Sequence, residues 1–475
     1  MRKVILLVAL TACGGGHNNT STMSDDDAGG SADACVGLQC HITDCAAMSL
    51  PPTSISGTVF APNGSLPLYD VNVYVPNSDP GPFSDTLECS KCSDPVPGDP
   101  IVIQTTNEAG GFELDNIPDG DAIPVVITIG KWRREITIPH VTACSPTTID
   151  AVDTTLPKSR TDMTPNTTHV DMPKIAISTG SADALECLIL KLGIDPKEIA
   201  SDGVDARVHL YADLASGGEG AAKFKAGFAG GTGNFADSAT LWGLSTLAPP
   251  ANAGKLANYD IAIFSCEGGQ HTESKDVMSM ANVKAYADLG GRVFLSHWHN
   301  IWVEGNTQTG GGTAKPMVWP TIATFSDANN TLPNSAIDTI DEVNNPKGAS
   351  FAKWMLEPTV MGSTVQDQIP IANNTGKNTC TAVDNTKAEQ WVAYSDPAHV
   401  NENGPQMFQF TTPNELSTDQ RCGKVVFSDM HVSGDSKSPK GGSYPDSCAT
   451  TALTSQEKAL AFMFFDISSC VSAIP

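Results

Sequence analysis

The spacing of hydrophobic residues changes near residue 170, and this change separates two kinds of structure. Between residues 53 and 155, short apolar segments alternate with turn signals that contain Asn-Gly, Gly-Gly or Pro-Asp-Gly. In DVNVYVPN, the apolar residues Val71, Val73 and Val75 alternate with polar ones, as in a strand with one buried face. Several short strands at this spacing predict a β-sandwich.

From residue 174 onward, strand-length apolar segments alternate with helical patterns, which predicts an α/β domain with a parallel sheet. The strand candidates are KIAIST, ARVHLYA, DIAIFSC, RVFLSHWH and KVVFSDMH. The centre of DIAIFSC is uniformly apolar, which is typical of a parallel strand that is buried on both faces. WVAYSDP and QMFQFTTP are expected to add an antiparallel pair.

Three helices are predicted in this second region. In SADALECLILKLGI, the leucines repeat at helical spacing, and Ser181 is the expected N-cap. A second helix is expected over residues 274–289, where Gly-Gly follows. The third helix, LTSQEKALAFMFFDI, begins with a capping box from Thr454 to Glu457.

The charge of the chain excludes one class of partner. The sequence has 28 Lys and Arg residues against 53 Asp and Glu residues, a formal net charge of −25. Because such a chain repels phosphate backbones and anionic membrane surfaces, we expect no nucleic-acid partner. No interior stretch approaches the roughly 18 apolar residues of a membrane-spanning helix, so none is expected.

The N-terminus has the pattern of an export signal. A positively charged start, MRK, precedes the apolar run VILLVAL, and the tetrapeptide LTAC that ends at Cys13 resembles the bacterial lipobox. The resemblance implies cleavage before Cys13 and lipid attachment to its sulfur, and Gly14 then implies the outer membrane. We therefore expect a protein anchored to the membrane through lipidated Cys13, outside the cytoplasm, with an envelope protein or a polysaccharide as the candidate partner. The alternative is a plain signal peptide with a cysteine there by chance.

Composition gives the remaining boundaries. Residues 13–52 are rich in Gly, Ser, Asp, Asn and Thr, which indicates a flexible tether. The insertion at about 305–347 is either a functional lid or simply disordered. The predicted order is a signal peptide (1–12), a Cys-bearing tether (13–52), the sandwich (53–155), a linker (156–172) and the α/β domain (173–475).

The sandwich segment contains, in order, ISGTV, an Asn-Gly turn, VNVYV and TTNEAGGFELDNIPDGD. With this pattern it resembles the transthyretin-like, carboxypeptidase-regulatory-like domain family. That family has a glycine in its first strand, a T-x-x-x-G-x-F hairpin and a P-x-G turn. Such domains are spacers or binding modules, so the resemblance implies no catalytic residues here. The whole chain also looks like a family of bacterial lipoproteins with this domain, through PNGSLPLYDVNVYVPN and GKWRREITIP. The family positions of the sandwich are occupied by Gly57, Thr106, Gly111, Phe112, Pro118 and Gly120.

Reactive side chains follow three predicted parallel strands. Because the carboxyl ends of parallel strands meet at one edge of a sheet, we expect these side chains to lie together. If each strand continued, His297 and His299 would share a face, as would Asp429 and His431. The side chains are Cys266 and Glu267 after one strand, His297 and His299 after the next, and Asp429 and His431 after the last.

The order of YDIAIFSCEGG, GGRVFLSHWH and CGKVVFSDMH resembles the class I glutamine amidotransferase-like fold, which is flavodoxin-like. In that family the nucleophilic cysteine lies in an elbow after the fourth strand, and a His-Pro-Glu follows a late strand. Here the elbow position holds His297, and His431 matches the family's histidine. Cys266 lies one strand early, where the family builds its oxyanion loop.

Three interpretations of the strand ends remain open. In a hydrolase, Cys266 would attack with His297 or His431 as its base, and Cys266, Glu267 and His431 are the catalytic candidates. In a metal site for Zn²⁺ or Fe²⁺, the ligands would be His297, His299 and His431 with Asp429 or Glu267. In the third interpretation, which we favour, Cys266 forms a disulfide and the histidines line a binding or protein-contact cleft.

The number of cysteines favours a paired Cys266. Of thirteen cysteines, Cys13 is assigned to the lipid, and the remaining twelve divide into six before the α/β domain and six within it. Even numbers allow every thiol to pair within its own region, although they do not fix which residues pair. A free Cys266 would leave a second cysteine unpaired.

A cluster of positive charge interrupts the sandwich at GKWRRE. Lys131, Trp132, Arg133 and Arg134 are a candidate site for an anionic ligand or partner. The favoured alternative is that the cations pair with carboxylates of the same chain while Trp132 packs on the neighbouring domain. Together, the patterns predict an envelope-anchored lipoprotein with a binding or assembly role. The alternative is an extracytoplasmic hydrolase or metal-dependent enzyme.

Overall fold

A computed structural model describes residues 35, 37–213, 225, 235–243, 255–305, 318–432, 444–448 and 451–472 of the chain. The chain divides into two compact units, residues 1–36 and residues 37–475, and every element below belongs to the second. The predicted signal peptide, Cys13 and the tether as far as residue 34 lie outside the described residues. Within the described part of the chain, no helix is both long and apolar enough to cross a membrane.

The first eight strands form two sheets that share one apolar core, as the alternating pattern predicted. They are β1 (Ser54–Thr58), β2 (Asn72–Pro76), β3 (Pro100–Thr105), β4 (Gly111–Asp115), β5 (Gly120–Ile129), β6 (Trp132–Val141), β7 (Pro146–Thr148) and β8 (Thr167–Asp171). One sheet has the order β4-β1-β7 and the other β3-β2-β5-β6-β8. Val73 and Val75 of the larger sheet and Ile55 and Leu114 of the smaller one are fully buried in this core.

Two boundaries of the sandwich differ from the prediction. Residues 156–172 were expected to be a linker, but β8 lies within them and pairs antiparallel with β6. Residues 37–52 were expected to be flexible, but Cys45 is disulfide-bonded to Cys144 and the carbonyl of His41 accepts from the Asp119 N–H. Composition alone missed both segments because long-range pairing, not local periodicity, orders them.

The remaining strands build a ten-stranded sheet and a separate pair. They are β9 (Ile175–Ser178), β10 (Ile199–Ser201), β11 (Val208–Tyr211), β12 (Ile261–Phe264), β13 (Arg292–Ser296), β14 (Ala323–Thr331), β15 (Ile337–Ile340), β16 (Gln368–Pro370), β17 (Lys377–Val383), β18 (Glu389–Tyr394), β19 (Gly404–Thr412) and β20 (Gly423–Ser428). The large sheet has the order β10-β11-β9-β12-β13-β20-β19-β18-β15-β16, and β14 pairs with β17. In the ten-stranded sheet, the first six strands of this order are parallel and the last four are antiparallel additions.

Helices cover both faces of the parallel part, as the alternating strand and helix patterns predicted. One face packs on α2 and α7 and the other on α3, α4 and α5, while α6 lies against α7 and the antiparallel strand β15. The helices are α1 (Ala151–Thr154), α2 (Leu185–Lys191), α3 (Ser238–Trp242), α4 (Val277–Asp288), α5 (Ile301–Glu304), α6 (Gly348–Leu356) and α7 (Ser455–Ser468). The capping box of α7 is present between Thr454 and Glu457. The predicted insertion contains β14 and β15, and its residues 306–317 lie outside the described part.

The disulfides contradict the prediction that cysteines pair within their own region. Cys89 is bonded to Cys422, and Cys92 to Cys470, so both cysteines of the C-x-x-C loop tie the sandwich to the α/β domain. Cys187 is bonded to Cys448 within the α/β domain. Because two cysteines of that domain are used by the sandwich, Cys266 and Cys380 are left as free, buried thiols among the described cysteines.

Removing one of these cross-links should loosen the pair of domains. We expect the double substitution Cys92→Ser with Cys470→Ser to lower the free energy of unfolding by about 2–5 kcal/mol, because the unfolded chain loses the constraint on the loop that the remaining Cys89–Cys422 bond leaves open. Urea unfolding followed by fluorescence measures the change. The exposed Ser93→Ala is the control, and an unchanged unfolding midpoint in the double variant would contradict the assigned pairing.

Candidate functional site

Three side chains from neighbouring parallel strands converge at the carboxyl edge of the sheet. Cys266 follows β12, His297 follows β13 and His431 follows β20, and these strands are adjacent in the order β12-β13-β20. One ligand atom from each residue lies within 4.8 Å of those of the other two. The Cys266 Sγ lies 3.4 Å from the His297 Nδ1, and the two imidazole rings have centroids 5.0 Å apart.

All three side chains are buried, and their surroundings keep them neutral. Burial raises the pKa of the Cys266 thiol to about 12, although the backbone N–H groups of Trp298 and Gly268 favour the thiolate. Burial also lowers the pKa of His431 to about 3 and that of His297 well below its usual range. Neutral imidazole is the form that binds metal ions.

Each histidine presents a nitrogen that nothing in the described chain satisfies. Nε2 of His297 and Nε2 of His431 are buried without a hydrogen-bond partner among the described residues. An unpaired buried polar atom costs about 1–3 kcal/mol, so two of them in one small cluster call for a partner.

The backbone at His297 explains why the alternating strand pattern predicted the wrong position for His299. β13 ends at Ser296, and residues His297–Asn300 form a 3₁₀ turn that leads into α5. His297 itself has φ of +44°, a left-handed conformation that is strained for a residue other than glycine. Such conformations cluster at functional sites. Since the strand does not continue, His297 and His299 do not share a face.

His299 was a candidate ligand, but it lies outside the group. Its Nε2 donates to the Ser265 carbonyl at 2.9 Å, and its Nδ1 accepts from the Trp302 indole N–H at 2.9 Å. Both nitrogens are therefore occupied, and its ring packs against the aromatic rings of Phe264 and Trp302. His299 has a structural role.

The carboxylates of Asp429 and Glu267 are also occupied by other partners. The Asp429 carboxylate accepts from the Thr379 N–H and hydroxyl, both at 2.8 Å, and from the Cys380 N–H at 3.0 Å. Burial raises the pKa of Asp429 to about 6. Glu267 forms a buried ion pair with Lys275, with an N–O distance of 2.5 Å. Neither carboxylate joins the three ligand atoms, so neither can orient a catalytic histidine there.

Asp183 is a residue of the site that the sequence analysis missed. It lies in the loop after β9, and its buried carboxylate accepts from the Ser296 hydroxyl and from the Val432 N–H. Burial raises its pKa to about 7, while these hydrogen bonds lower it. Asp183 follows the parallel strand β9, which was predicted from KIAIST. It could therefore have been found in the same way as the side chains that follow the other three strands.

The positive side chains of the GKWRRE cluster pair with carboxylates of the same chain. Lys131 pairs with Asp260 at 2.7 Å, Arg133 with Asp171 at 2.6 Å and Arg134 with Asp162 at 2.7 Å. Arg133 and Arg134 are almost fully buried, and both also donate to backbone carbonyls. Trp132 is fully buried, and its ring packs on Phe465 of α7 at 6.2 Å. Lys131 and Trp132 therefore connect the sandwich to the α/β domain, whereas Arg133 and Arg134 are paired within the sandwich region. The four residues present no open anion site.

A thiol count distinguishes this arrangement from a paired Cys266. We expect two reactive thiols per mature chain in denaturant without reductant, and none in the native protein at pH 8. In the folded state both thiols are buried, and burial raises the pKa of Cys266 to about 12 and that of Cys380 above its usual range. A chromogenic disulfide reagent gives the count, with a reduced, unfolded sample as the control. No thiol in the unfolded, unreduced protein would contradict a free Cys266.

Comparisons with known proteins add little to this description. No protein-family model matches the chain, and no curated protein sequence matches it. Two solved structures resemble part of it, both crystal structures of interface mutants of a type II cohesin–X-dockerin complex from Acetivibrio cellulolyticus. They are 18% and 17% identical, each match covers 30% of this chain and 85% of the other, and both TM-scores are 0.17. A structural similarity with a TM-score this low gives no information about the function of the chain.

Proposed function

We propose that this protein is an envelope-anchored lipoprotein whose α/β domain binds a transition-metal ion through Cys266, His297 and His431. The observation that carries the metal site is the convergence of one thiol and two imidazoles, whose ligand atoms lie within 4.8 Å of one another. The anchor is supported by the lipobox-like LTAC at Cys13. The disulfides support an oxidising compartment outside the cytoplasm.

Each of the two domains would have its own role. The sandwich would be a carboxypeptidase-regulatory-like spacer that carries the α/β domain at a distance from the membrane. The α/β domain would be flavodoxin-like and related to the amidotransferase-like fold. Its order β11-β9-β12-β13-β20 supports this, because without the short edge strand β10 it is the 2-1-3-4-5 order of flavodoxin-like sheets.

A metal site fits the geometry better than a cysteine hydrolase. A hydrolase needs an accessible thiolate and a carboxylate that orients its histidine. Cys266 is fully buried, burial raises its pKa, and Asp429 is held by Thr379 and Cys380. A bound cation removes the need for a base, since it stabilises the thiolate directly.

The donor set favours a borderline or soft ion, and Zn²⁺ is the ion to test first. Thiolate and imidazole are the ligands that Zn²⁺ prefers, with bonds of about 2.3 Å to sulfur and 2.0–2.1 Å to nitrogen. Donor atoms of a tetrahedral ion are then about 3.5 Å apart. The Cys266 Sγ and His297 Nδ1 are already 3.4 Å apart, and the ligand atom of His431 lies within 4.8 Å of those of the other two residues. Three protein ligands leave a fourth position open to water or an exogenous ligand.

Metal content tests the proposal. The full chain, loaded with Zn²⁺ and dialysed, is expected to hold one zinc per chain by atomic emission, and His297→Ala is expected to hold almost none. His399→Ala is the matched control, because its ring is exposed and pairs with Asp396 at 2.8 Å. Equal zinc in the wild-type protein and in His297→Ala would rule out this site.

A further inference from the structure

We infer that Asp183 is the positioning residue of this centre: its carboxylate holds the histidine-bearing strand ends in the register that brings their imidazoles to Cys266. The inference rests on the proposed metal site and goes further, because it names the residue that sets the ligand geometry. Asp183 belongs to the loop after β9, the parallel strand next to β12. It is not itself one of the three ligands.

The carboxylate of Asp183 bridges the two histidine loops. Its Oδ2 accepts from the Ser296 hydroxyl at 2.8 Å, and Ser296 immediately precedes His297. Its Oδ1 accepts from the Val432 N–H at 2.9 Å, and Val432 immediately follows His431. One carboxylate therefore holds the side chain that precedes His297 and the backbone N–H that follows His431, two ligands that are 134 residues apart in sequence (431 − 297).

The same loop also fixes the third ligand. The Ala182 N–H donates to the carbonyl of Cys266 at 3.0 Å, and the Ser181 hydroxyl donates to the carbonyl of Glu267 at 2.9 Å. Gly180 permits this approach, since a Cβ there would lie 2.0 Å from the Cys266 carbonyl oxygen. Ser181 was expected to cap α2, but α2 starts only at Leu185, and the serine bonds across to the Cys266 loop instead.

Burial makes the Asp183 bridge stiff. The side chain is 2% exposed, and a third bond from the Ala184 N–H at 3.0 Å holds its Oδ1. Outer-shell groups that orient metal ligands typically change affinity by about 10–100-fold when removed. His297 has a left-handed backbone, a strained conformation that persists where the surrounding structure fixes it.

Two substitutions at Asp183 separate positioning from simple stability. Asp183→Asn keeps the geometry: the amide oxygen accepts from the two N–H groups and the amide nitrogen donates to Ser296, whose hydroxyl rotates. Asp183→Ala removes every bond. In the full chain we expect Asp183→Asn to bind Zn²⁺ within about 3-fold of wild type, and Asp183→Ala to bind about 10–100-fold more weakly. A chelator competition measures the dissociation constants, and the sulfur-to-Co²⁺ charge-transfer band of the Co²⁺ form reports the coordination.

The matched control is Asp153→Ala in the sandwich. Asp153 is as buried as Asp183 and accepts from Thr164 and from Asn166, far from the site along the fold. It is expected to lower the unfolding midpoint without changing the zinc dissociation constant or the Co²⁺ spectrum. If Asp183→Ala does not fold, Ser296→Ala removes one of the same bonds, and the same comparison applies with a smaller loss expected.

The outcomes are distinct from those of the metal proposal. Wild-type protein that binds no zinc overturns both. Wild-type protein that binds zinc while Asp183→Ala, or Ser296→Ala in its place, binds it equally well with an unchanged Co²⁺ spectrum overturns the role of Asp183 alone. Equal losses in Asp183→Asn and Asp183→Ala would also overturn it, because charge rather than hydrogen-bond geometry would then be responsible.

Discussion

Replacing Cys266 with serine is expected to lower the affinity of the protein for Zn²⁺ by about 1000-fold or more, which corresponds to at least about 4 kcal/mol. A thiolate is a strong ligand for Zn²⁺, whereas a serine hydroxyl stays protonated and binds poorly. The substitution is nearly isosteric, but it places a hydroxyl in a fully buried site, so the unfolding midpoint of the variant is measured beside its affinity to separate the missing bond from a lost fold. Chelator competition gives the affinity, and loss of the sulfur-to-Co²⁺ charge-transfer band shows which atom was removed.

Cys380→Ser is the matched control for that experiment. Cys380 is the other free buried cysteine of the described chain, and its Sγ contacts the Ala382 carbonyl at 3.7 Å. It does not belong to the Cys266–His297–His431 group. Cys380→Ser should therefore leave the zinc affinity unchanged. If the two serine variants bind zinc equally well, the sulfur of Cys266 is not a ligand.

Replacing Cys13 with alanine is expected to move the protein from the membrane fraction to the soluble fraction. Each buried CH₂ group of an acyl chain contributes about 0.8 kcal/mol to membrane binding, so a multiply acylated cysteine holds a protein on a bilayer. The net charge of −25 cannot substitute for the lipid on an anionic surface.

Cell fractionation with immunoblotting measures this change. Ser21→Ala, in the same predicted tether, is the control and should remain in the membrane fraction. Cys13→Ala protein that still sediments with the membrane would contradict lipid anchoring. This result would leave the zinc experiments unaffected, because the metal site lies in the α/β domain.

Much of the fold follows from local pattern. The apolar segments around Ile263 and Phe294 predicted adjacent buried strands, and β12 and β13 pair in parallel over Ile261–Phe264. Thr454 and Glu457 predicted the start of α7 to the residue. These elements were predictable because their signals are carried within a few residues.

The candidate site was only partly predictable. Cys266, His297 and His431 follow strand ends, so the sheet itself explains their convergence. The predicted position of His299 was wrong because the left-handed backbone of His297 ends the strand. No periodicity in the sequence predicts such a turn.

The state of Cys266 could not be predicted because it depends on the contact between the two domains. Cys89 lies 333 residues from Cys422, and Cys92 lies 378 residues from Cys470. An even number of cysteines in each region is also consistent with cross-links between the regions. The packing of the C-x-x-C loop against the α/β domain decides that Cys266 stays free.

The central claim is most directly tested by anomalous diffraction at the zinc edge from crystals of the zinc-loaded protein. The proposed centre predicts one strong peak between β12, β13 and β20, about 2.3 Å from the Cys266 Sγ and about 2.1 Å from one ring nitrogen each of His297 and His431. A zinc peak bound to other residues, or no peak with Cys266 still a free thiol, would contradict it.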